Sequence, residues 1–131
     1  MASSFAGTWK FKSANNIDNF YNNIGMDEVT RSAFTTGEPT GIISIDYGEW
    51  TVEYVSPAIR MTRKFKLGMT VKDKTPNGEE VDCVWNLIDG VLKNTSLSDQ
   101  IIHEEISVNG NELIYMQSFN GLTATRTFTR Q

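Results

Sequence analysis

The chain has 131 residues and a formal net charge of −4, from 12 basic and 16 acidic side chains. This length fits one domain, residues 1–131, with a sizeable core, and the acidic balance argues against nucleic acid as the main partner. One cysteine, Cys83, excludes a disulfide framework and fits a reducing compartment, while the lack of a signal-peptide pattern and of any roughly 20-residue apolar run indicates a soluble cytoplasmic protein.

The N-terminal part predicts one strand followed by a pair of short helices. Residues 5–12 alternate apolar and polar side chains, as a strand with one buried face does. The two asparagines at 15–16 are suited to cap the first helix and Asp27 the second, because their side chains accept hydrogen bonds from free backbone N–H groups. Gly25 marks the end of the first helix, and the pair covers about residues 16–36. The apolar positions of the two helices are Ile17, Phe20, Tyr21, Ile24, Val29 and Ala33.

From Pro39 onward the pattern changes to short strands separated by tight turns, several of them of the Asp-Gly or Asn-Gly type. About ten strands at this spacing predict an all-β, up-and-down antiparallel meander that closes into a barrel, because closure removes exposed strand edges. The helix pair cannot cover a sheet, so we expect it to form a lid between the first two strands. The strands predicted after Pro39 cover residues 41–46, 50–58, 60–67, 80–87, 91–97, 101–108, 113–119 and 121–130, with a short one near Val71.

The last strand carries an arginine on its apolar face. Leu122, Ala124, Arg126 and Phe128 share one side, and threonines occupy the other. An arginine taken out of water without a partner costs several kcal/mol, so a carboxylate or strongly polar group must meet Arg126. That partner is either an internal Asp or Glu, which gives Arg126 a structural role, or the carboxylate of a ligand. The strand alone leaves both possibilities open.

Other inward positions of the predicted strands are polar as well. Arg63, Ser56 and Gln117 alternate with apolar residues in the same way as Arg126. Each buried polar atom needs a hydrogen-bond partner, so a solid apolar core would not keep these residues. A hollow, partly hydrated barrel would, and the mouths of β-barrels are common sites for small molecules. We therefore predict a protein with an internal cavity.

Four segments of the chain match a known pattern. They are residues 5–10 (FAGTWK), the lid region 16–31, residues 65–68 (FKLG) with the Asn-Gly turn that follows, and the closing residues 125–128 (TRTF). Together they resemble the intracellular lipid-binding proteins, the group of fatty-acid-binding and cellular retinoid-binding proteins. The resemblance covers essentially the whole chain, and it implies a ten-stranded barrel with a helix-turn-helix portal and a fatty acid or similar ligand inside.

By this resemblance, the closing motif holds the carboxylate of the ligand. Family members use an arginine and a tyrosine there, helped by a second arginine on a neighbouring strand. Arg126 falls on the arginine and Phe128 on the tyrosine, so the hydroxyl donor is missing, and no arginine occurs near residues 104–106. Gln117, on the preceding strand, is placed either to donate an amide hydrogen bond to the headgroup or to hold internal water.

Arg63 stands where the family usually has an apolar residue. It either forms a second anionic subsite for the headgroup or pairs with Glu104 inside the barrel, and we favour the internal pairing. The residues expected to line the cavity are Tyr115, Tyr54, Trp9, Met61, Phe65 and Ile106.

The portal departs from the family in two ways. Ala58 occupies the place of a bulky gating aromatic, and the first helix carries no lysine, so electrostatic docking to anionic membranes should be weak and release through water is expected. The expected portal residues are Ile17, Phe20, Tyr21, Ile24, Val29, Ala33, Pro39, Ala58 and Asn77.

The arginine at 126 favours an acid over an alcohol as ligand, because retinol-binding members of the group tend to carry glutamine there. We expect reversible binding and transport of a long-chain fatty acid or similar carboxylate, without a cofactor or metal; a retinoid or other bulky ligand is the alternative. An enzyme would have to use His103 with Glu105, or Cys83, but an exposed strand edge and an inert packed thiol are the favoured interpretations. Delivery to a nuclear receptor or an enzyme partner stays open.

Overall fold

The computed structural model describes residues 2–25, 27–35, 37–74, 79–97 and 102–131. It consists of one sheet of ten antiparallel strands and two short α-helices. A 3-10 turn covers Ala2–Phe5, and the helices are α1 (Ile17–Asn22) and α2 (Glu28–Thr35). The strands are β1 (Gly7–Asn15), β2 (Thr40–Asp46), β3 (Glu49–Val55), β4 (Arg60–Lys66), β5 (Thr70–Lys74), β6 (Glu80–Ile88), β7 (Val91–Ser96), β8 (Ile102–Asn109), β9 (Glu112–Phe119) and β10 (Leu122–Arg130).

The sheet is an up-and-down meander that curls into a nearly closed barrel. Strands that follow one another pair as neighbours, except β4 and β5, and β1 pairs with β10, which gives the order β4-β3-β2-β1-β10-β9-β8-β7-β6-β5. No ladder joins β4 to β5 in the described residues, but an ion pair spans this opening, with Nε of Arg63 3.1 Å from Oδ2 of Asp73. The predicted ten-stranded barrel with two helices between its first two strands is confirmed.

Aromatic residues fill the end of the barrel away from the helices. The rings of Trp50, Phe65 and Trp85 stack in sequence, with centroids 6.0 and 4.2 Å apart. Trp9 is fully buried beside them, and its indole N–H donates to the backbone carbonyl of Phe5 at 3.0 Å. The polar atom of this large side chain is therefore satisfied, as burial requires, and the aromatic layer closes that end of the barrel.

The helices pack over the other end. Phe20, Tyr21 and Ile24 are buried there against Phe119 and Ala124 of the strands β9 and β10. In the described part of the chain, neither helix has the length and apolar character that crossing a membrane requires. The helix pair thus forms a cover, and α1 with the loop that follows it turns apolar side chains toward the barrel.

Three details of the predicted helices are wrong. α1 ends at Asn22 rather than at Gly25. Ile24 is buried as predicted, but it belongs to the loop that follows the helix. Asn16 does not cap α1 through its side chain; it adopts a left-handed conformation (φ 62°), and its Nδ2 donates to the carbonyl of Thr123 at 2.7 Å. The amide is used to tie the cover to β10, which a local capping pattern cannot reveal. Val29 is 81% exposed, so the apolar positions of α2 do not form one buried side.

Two predicted strands also have different limits. The first strand is Gly7–Asn15 rather than residues 5–12, because Phe5 belongs to the preceding 3-10 turn. β3 ends at Val55, so Ser56 does not point inward from a strand; its hydroxyl accepts from the N–H of Ile59 at 3.2 Å within a turn.

Candidate ligand-binding site

A cavity of about 390 Å³ lies between the helices and the aromatic layer. Its wall is mostly apolar, and the two buried charged side chains that line it, Arg126 and Glu104, lie in separate places. Five of the six residues predicted to line it do so, namely Tyr115, Tyr54, Trp9, Met61 and Ile106. Phe65 does not: it is buried in the stack between Trp50 and Trp85, because the aromatic layer fills the barrel at its level.

The first charged place is Arg126, which is only 3% exposed on the inner face of β10. Its Nη1 donates to Oε1 of Gln117 at 3.0 Å and to the hydroxyl of Tyr21 at 3.4 Å, and its Nη2 donates to the carbonyl of Phe34 at 2.8 Å. All three acceptors are neutral, and no ion pair involves Arg126 among the residues that the structure describes. A guanidinium stays charged in a protein, so this wall of the cavity holds a buried positive charge.

The rings of Tyr21 and Tyr54 face this guanidinium, and the ring of Phe34 packs against both of them. Tyr21 stacks on Phe34 with centroids 5.3 Å apart and planes 4° from parallel. The ring of Tyr54 lies 5.3 Å from Cζ of Arg126, and its buried hydroxyl has no hydrogen-bond partner within the described residues. Burial raises the pKa of Tyr54, so the phenol keeps its proton at neutral pH.

The second charged place is a cluster around Glu104 of β8. Arg63 donates from Nη1 to Oε2 of Glu104 at 2.9 Å, while its Nε and Nη2 donate to Asp73. Asn94 donates to Oε1 of Glu104 at 2.8 Å, and the hydroxyl of Tyr115 donates to Oε2. Burial raises the pKa of Glu104, but the charge of Arg63 and these hydrogen bonds outweigh it and hold the pKa below its ordinary value. The carboxylate is therefore ionised and fully engaged.

Arg63 consequently lacks a free charge for a headgroup. The internal pairing with Glu104 that we favoured is present, and the structure adds Asp73, which the sequence pattern did not indicate as a partner. The sequence indicated Asp73 only weakly, because it shares a strand face with the apolar Val71. The pairing with Arg63 arises because the barrel brings β4 and β5 side by side.

The other two predicted headgroup residues lie beside Arg126. Phe128 is buried on the cavity wall and packs edge-on against Phe11, with centroids 6.0 Å apart, so it offers no donor. Gln117 lines the cavity, and its Oε1 accepts from both Arg126 and Tyr21. Among the described residues, the region around Arg126 thus contains one cation, one amide and two phenols.

The predicted portal residues fall into several places. Phe20 and Tyr21 line the main cavity, whereas Ile17 and Pro39 line a second pocket of about 420 Å³ under the helices. Phe34 and Arg126 line both of these spaces. Of the remaining portal residues, Ile24 is buried, Ala33 is half-buried, Val29 and Ala58 are exposed, and Asn77 lies outside the described residues.

The candidate catalytic residues lie apart from the cavity. Nε2 of His103 is 2.6 Å from Oε2 of Glu105, and neither residue lines the cavity. Burial raises the pKa of the Cys83 thiol to about 11, as expected for a packed cysteine. A thiol with this pKa is a poor nucleophile at neutral pH.

A largely apolar interior with a buried cation that meets no anion in the described part of the chain is typical of a protein that encloses a hydrophobic molecule with an acidic end. Comparison with known proteins identifies the family. The fatty acid-binding protein homolog 2 of Echinococcus granulosus is 31% identical over 128 residues, which cover 96% of this chain and 96% of that protein. The adipocyte fatty acid-binding protein of Pygoscelis papua is 26% identical over 132 residues, 99% of each chain.

Solved structures agree with this relationship. The Schistosoma mansoni fatty acid binding protein in complex with arachidonic acid has a TM-score of 0.86 and 25% identity over 98% of this chain and 97% of that one. No family model matches the chain. The chain belongs to the fatty-acid-binding protein family, and its named relatives are binding proteins rather than enzymes.

Proposed function

We propose that this protein binds a long-chain fatty acid inside the barrel and carries it, with the carboxylate on Arg126. The observation that supports this most is the charge of Arg126, which is buried in the cavity wall and meets only neutral acceptors among the described residues. A buried charge without a counter-charge is costly, so an anion that enters the cavity gains a strong ionic hydrogen bond. Arg126 thereby takes the ligand-binding role rather than the structural one.

The remainder of the cavity suits an alkyl chain. Apolar side chains of seven strands, β1–β4 and β8–β10, line it, and each buried methylene contributes about 0.8 kcal/mol. The volume of about 390 Å³ falls in the usual range for small-molecule pockets. These apolar lining residues include Trp9, Ile43, Val52, Met61, Ile106 and Leu113.

We also propose that the protein acts as a carrier without catalysis, in the cytoplasm. His103 and Cys83 lie apart from the cavity, and the free buried thiol suits a reducing compartment. The α1 helix carries Asp18 and no basic residue, so release of the ligand through water fits better than electrostatic docking to an anionic membrane.

The test compares oleate binding by the wild type, Arg126→Leu and Arg60→Leu, using calorimetry for affinity and native mass spectrometry for co-purified lipid. Arg60 is an exposed arginine whose Nη2 lies 2.6 Å from Glu53, and it serves as the matched control. We expect Arg126→Leu to weaken oleate binding by about one hundredfold, since an ionic hydrogen bond contributes about 1.5–3 kcal/mol, and Arg60→Leu to have no effect. A wild type that ignores oleate but takes up retinol would overturn the proposal in favour of the retinoid alternative.

A further inference from the structure

The buried hydroxyl of Tyr54 donates its proton to no acceptor among the residues that the structure describes. Its Oη and Oδ1 of Asn94 are the two buried side-chain polar atoms without a hydrogen-bond partner in the described ranges. Asn94 belongs to the Glu104 cluster, whereas Tyr54 is next to Arg126. Native proteins satisfy nearly all buried polar groups, so an exception beside a binding cavity points to a partner that arrives with the ligand.

The position of Tyr54 places it against the headgroup region. It lies on β3, and its ring reaches the guanidinium of Arg126 on β10, with 5.3 Å between the ring centroid and Cζ. Its ring is also 5.7 Å from the ring of Phe34, whose carbonyl now occupies Nη2 of Arg126. A carboxylate that binds to Arg126 therefore has the ring of Tyr54 as a near neighbour.

Two other polar groups in this region are already bonded to each other. Tyr21 donates its proton to Oε1 of Gln117 at 2.8 Å, and that same oxygen accepts from Arg126. Phe128, on the same face of β10 as Arg126, has no hydroxyl. A carboxylate has about four lone-pair sites, which one guanidinium does not saturate, so a second donor fits the chemistry.

We propose that Tyr54 is the hydroxyl donor that completes the carboxylate site, so that the headgroup is held between Arg126 on β10 and Tyr54 on β3. This inference rests on the proposed function and adds a determinant of specificity to it. The phenol donates to the ionised acid, and the resulting charge-assisted hydrogen bond is stronger than one to a neutral group. The site therefore prefers a fatty acid to the corresponding fatty alcohol.

The test is Tyr54→Phe, which removes one oxygen atom and keeps the ring. Tyr47→Phe is the matched control, because Tyr47 is 100% exposed. Dissociation constants for oleate and oleyl alcohol are measured by calorimetry for the wild type and both variants. We expect Tyr54→Phe to weaken oleate binding by about ten- to one hundredfold and to leave oleyl alcohol binding within about twofold, while Tyr47→Phe changes neither.

Two results would overturn the inference while leaving the proposed function intact. One is a Tyr54→Phe variant that binds oleate as the wild type does; the other is an equal loss for acid and alcohol, which would assign the effect to ring packing. A wild type that does not bind oleate overturns the proposed function itself. As a further check, adding Phe128→Tyr to Tyr54→Phe should restore part of the preference for the acid, because it returns a hydroxyl to the wall beside Arg126; no recovery counts against a missing donor as the cause.

Discussion

Nη2 of Arg126 donates a hydrogen bond to the backbone carbonyl of Phe34 at 2.8 Å, which joins the inner face of β10 to the C-terminal turn of α2. These two residues line both the main cavity and the second pocket under the helices. The ring of Phe34 is fixed between Tyr21 and Tyr54. Phe34 therefore lies at the boundary between the two spaces, and we expect a ligand that moves from one to the other to pass it.

This arrangement predicts that Phe34→Ala accelerates exchange of oleate. Loss of the ring opens the boundary, while the backbone carbonyl and Arg126 stay in place. We expect the association and dissociation rates to rise together, by roughly tenfold, because opening of a cover limits the passage of many enclosed ligands. Stopped-flow fluorescence with an anthroyloxy fatty acid measures both rates.

The competing route passes the loop after β3, where Ala58 is exposed. Ala58→Phe places a bulky ring in that loop and narrows the opening beside it, and we expect it to leave the exchange rates of oleate unchanged. If Ala58→Phe slows exchange and Phe34→Ala does not affect it, the ligand passes through the loop instead.

The buried charge cluster predicts a stability change that depends on pH. In the wild type, Arg63 compensates both Glu104 and Asp73. Arg63→Met leaves two carboxylates without their cation, which should lower the free energy of unfolding at pH 7 by about 3–5 kcal/mol. Without Arg63, burial dominates and raises the pKa of Glu104. A raised folded-state pKa means that stability is lost as the pH rises, so the variant should regain stability between pH 7 and pH 5.

Urea unfolding of the wild type and Arg63→Met at both pH values measures this effect. The wild type should not show the same gain. Because the pKa of Glu104 is lowered in the folded wild type, its ionised carboxylate stabilises the fold above the unfolded-state pKa of about 4.3, and this stabilisation is lost as the pH falls below that value. Arg60→Met is the control on the same strand, and its exposed pair with Glu53 should contribute less than about 1 kcal/mol. An Arg63→Met penalty that stays constant from pH 7 to pH 5 would contradict the assignment.

The parts of the site that were predicted from sequence are those that depend on local periodicity. Alternation in residues 122–128 places Arg126 and Phe128 inside, because a strand repeats every two residues wherever it lies in a sheet. The partners of Arg126 and Arg63 were harder to predict. Asp73 meets Arg63 only because the barrel closes β5 onto β4, and the carbonyl of Phe34 has no side-chain signature.

The limits of the elements were missed for a related reason. Asn16 is a residue type that commonly caps helices, but its side-chain amide donates instead to the carbonyl of Thr123, more than 100 positions away. Phe65 shares its parity with Met61, yet one lies in the aromatic stack and the other on the cavity wall. Strand parity indicates which side chains point inward and does not give their height in the barrel, so a solid layer and a hollow one look alike in the sequence.

The height difference between these two residues is itself testable. Phe65→Ala should lower the free energy of unfolding by about 3–5 kcal/mol, because it opens a hole between Trp50 and Trp85. Met61→Ala removes a lining side chain, so it should weaken oleate binding more than it weakens the fold. Urea unfolding and calorimetry on both variants separate the two roles, and a reversed pattern would place the boundary of the cavity elsewhere.

Cys83 provides a chemical probe of whether the barrel is closed. Burial raises the pKa of its thiol to about 11, and Asp73 acts in the same direction. At pH 8 the thiolate fraction is then about one thousandth, roughly two orders of magnitude below that of a free cysteine. Iodoacetamide should therefore label the folded protein at least one hundredfold more slowly than the protein in 8 M urea (about the usual unfolding concentration).

Mass spectrometry of quenched samples follows the reaction, and bound oleate should slow it further if labelling requires opening of the barrel. Equal labelling rates for folded and unfolded protein would show that Cys83 is accessible in the native state. A labelling rate that oleate does not change would show that the motion that exposes Cys83 is not the one that releases the ligand.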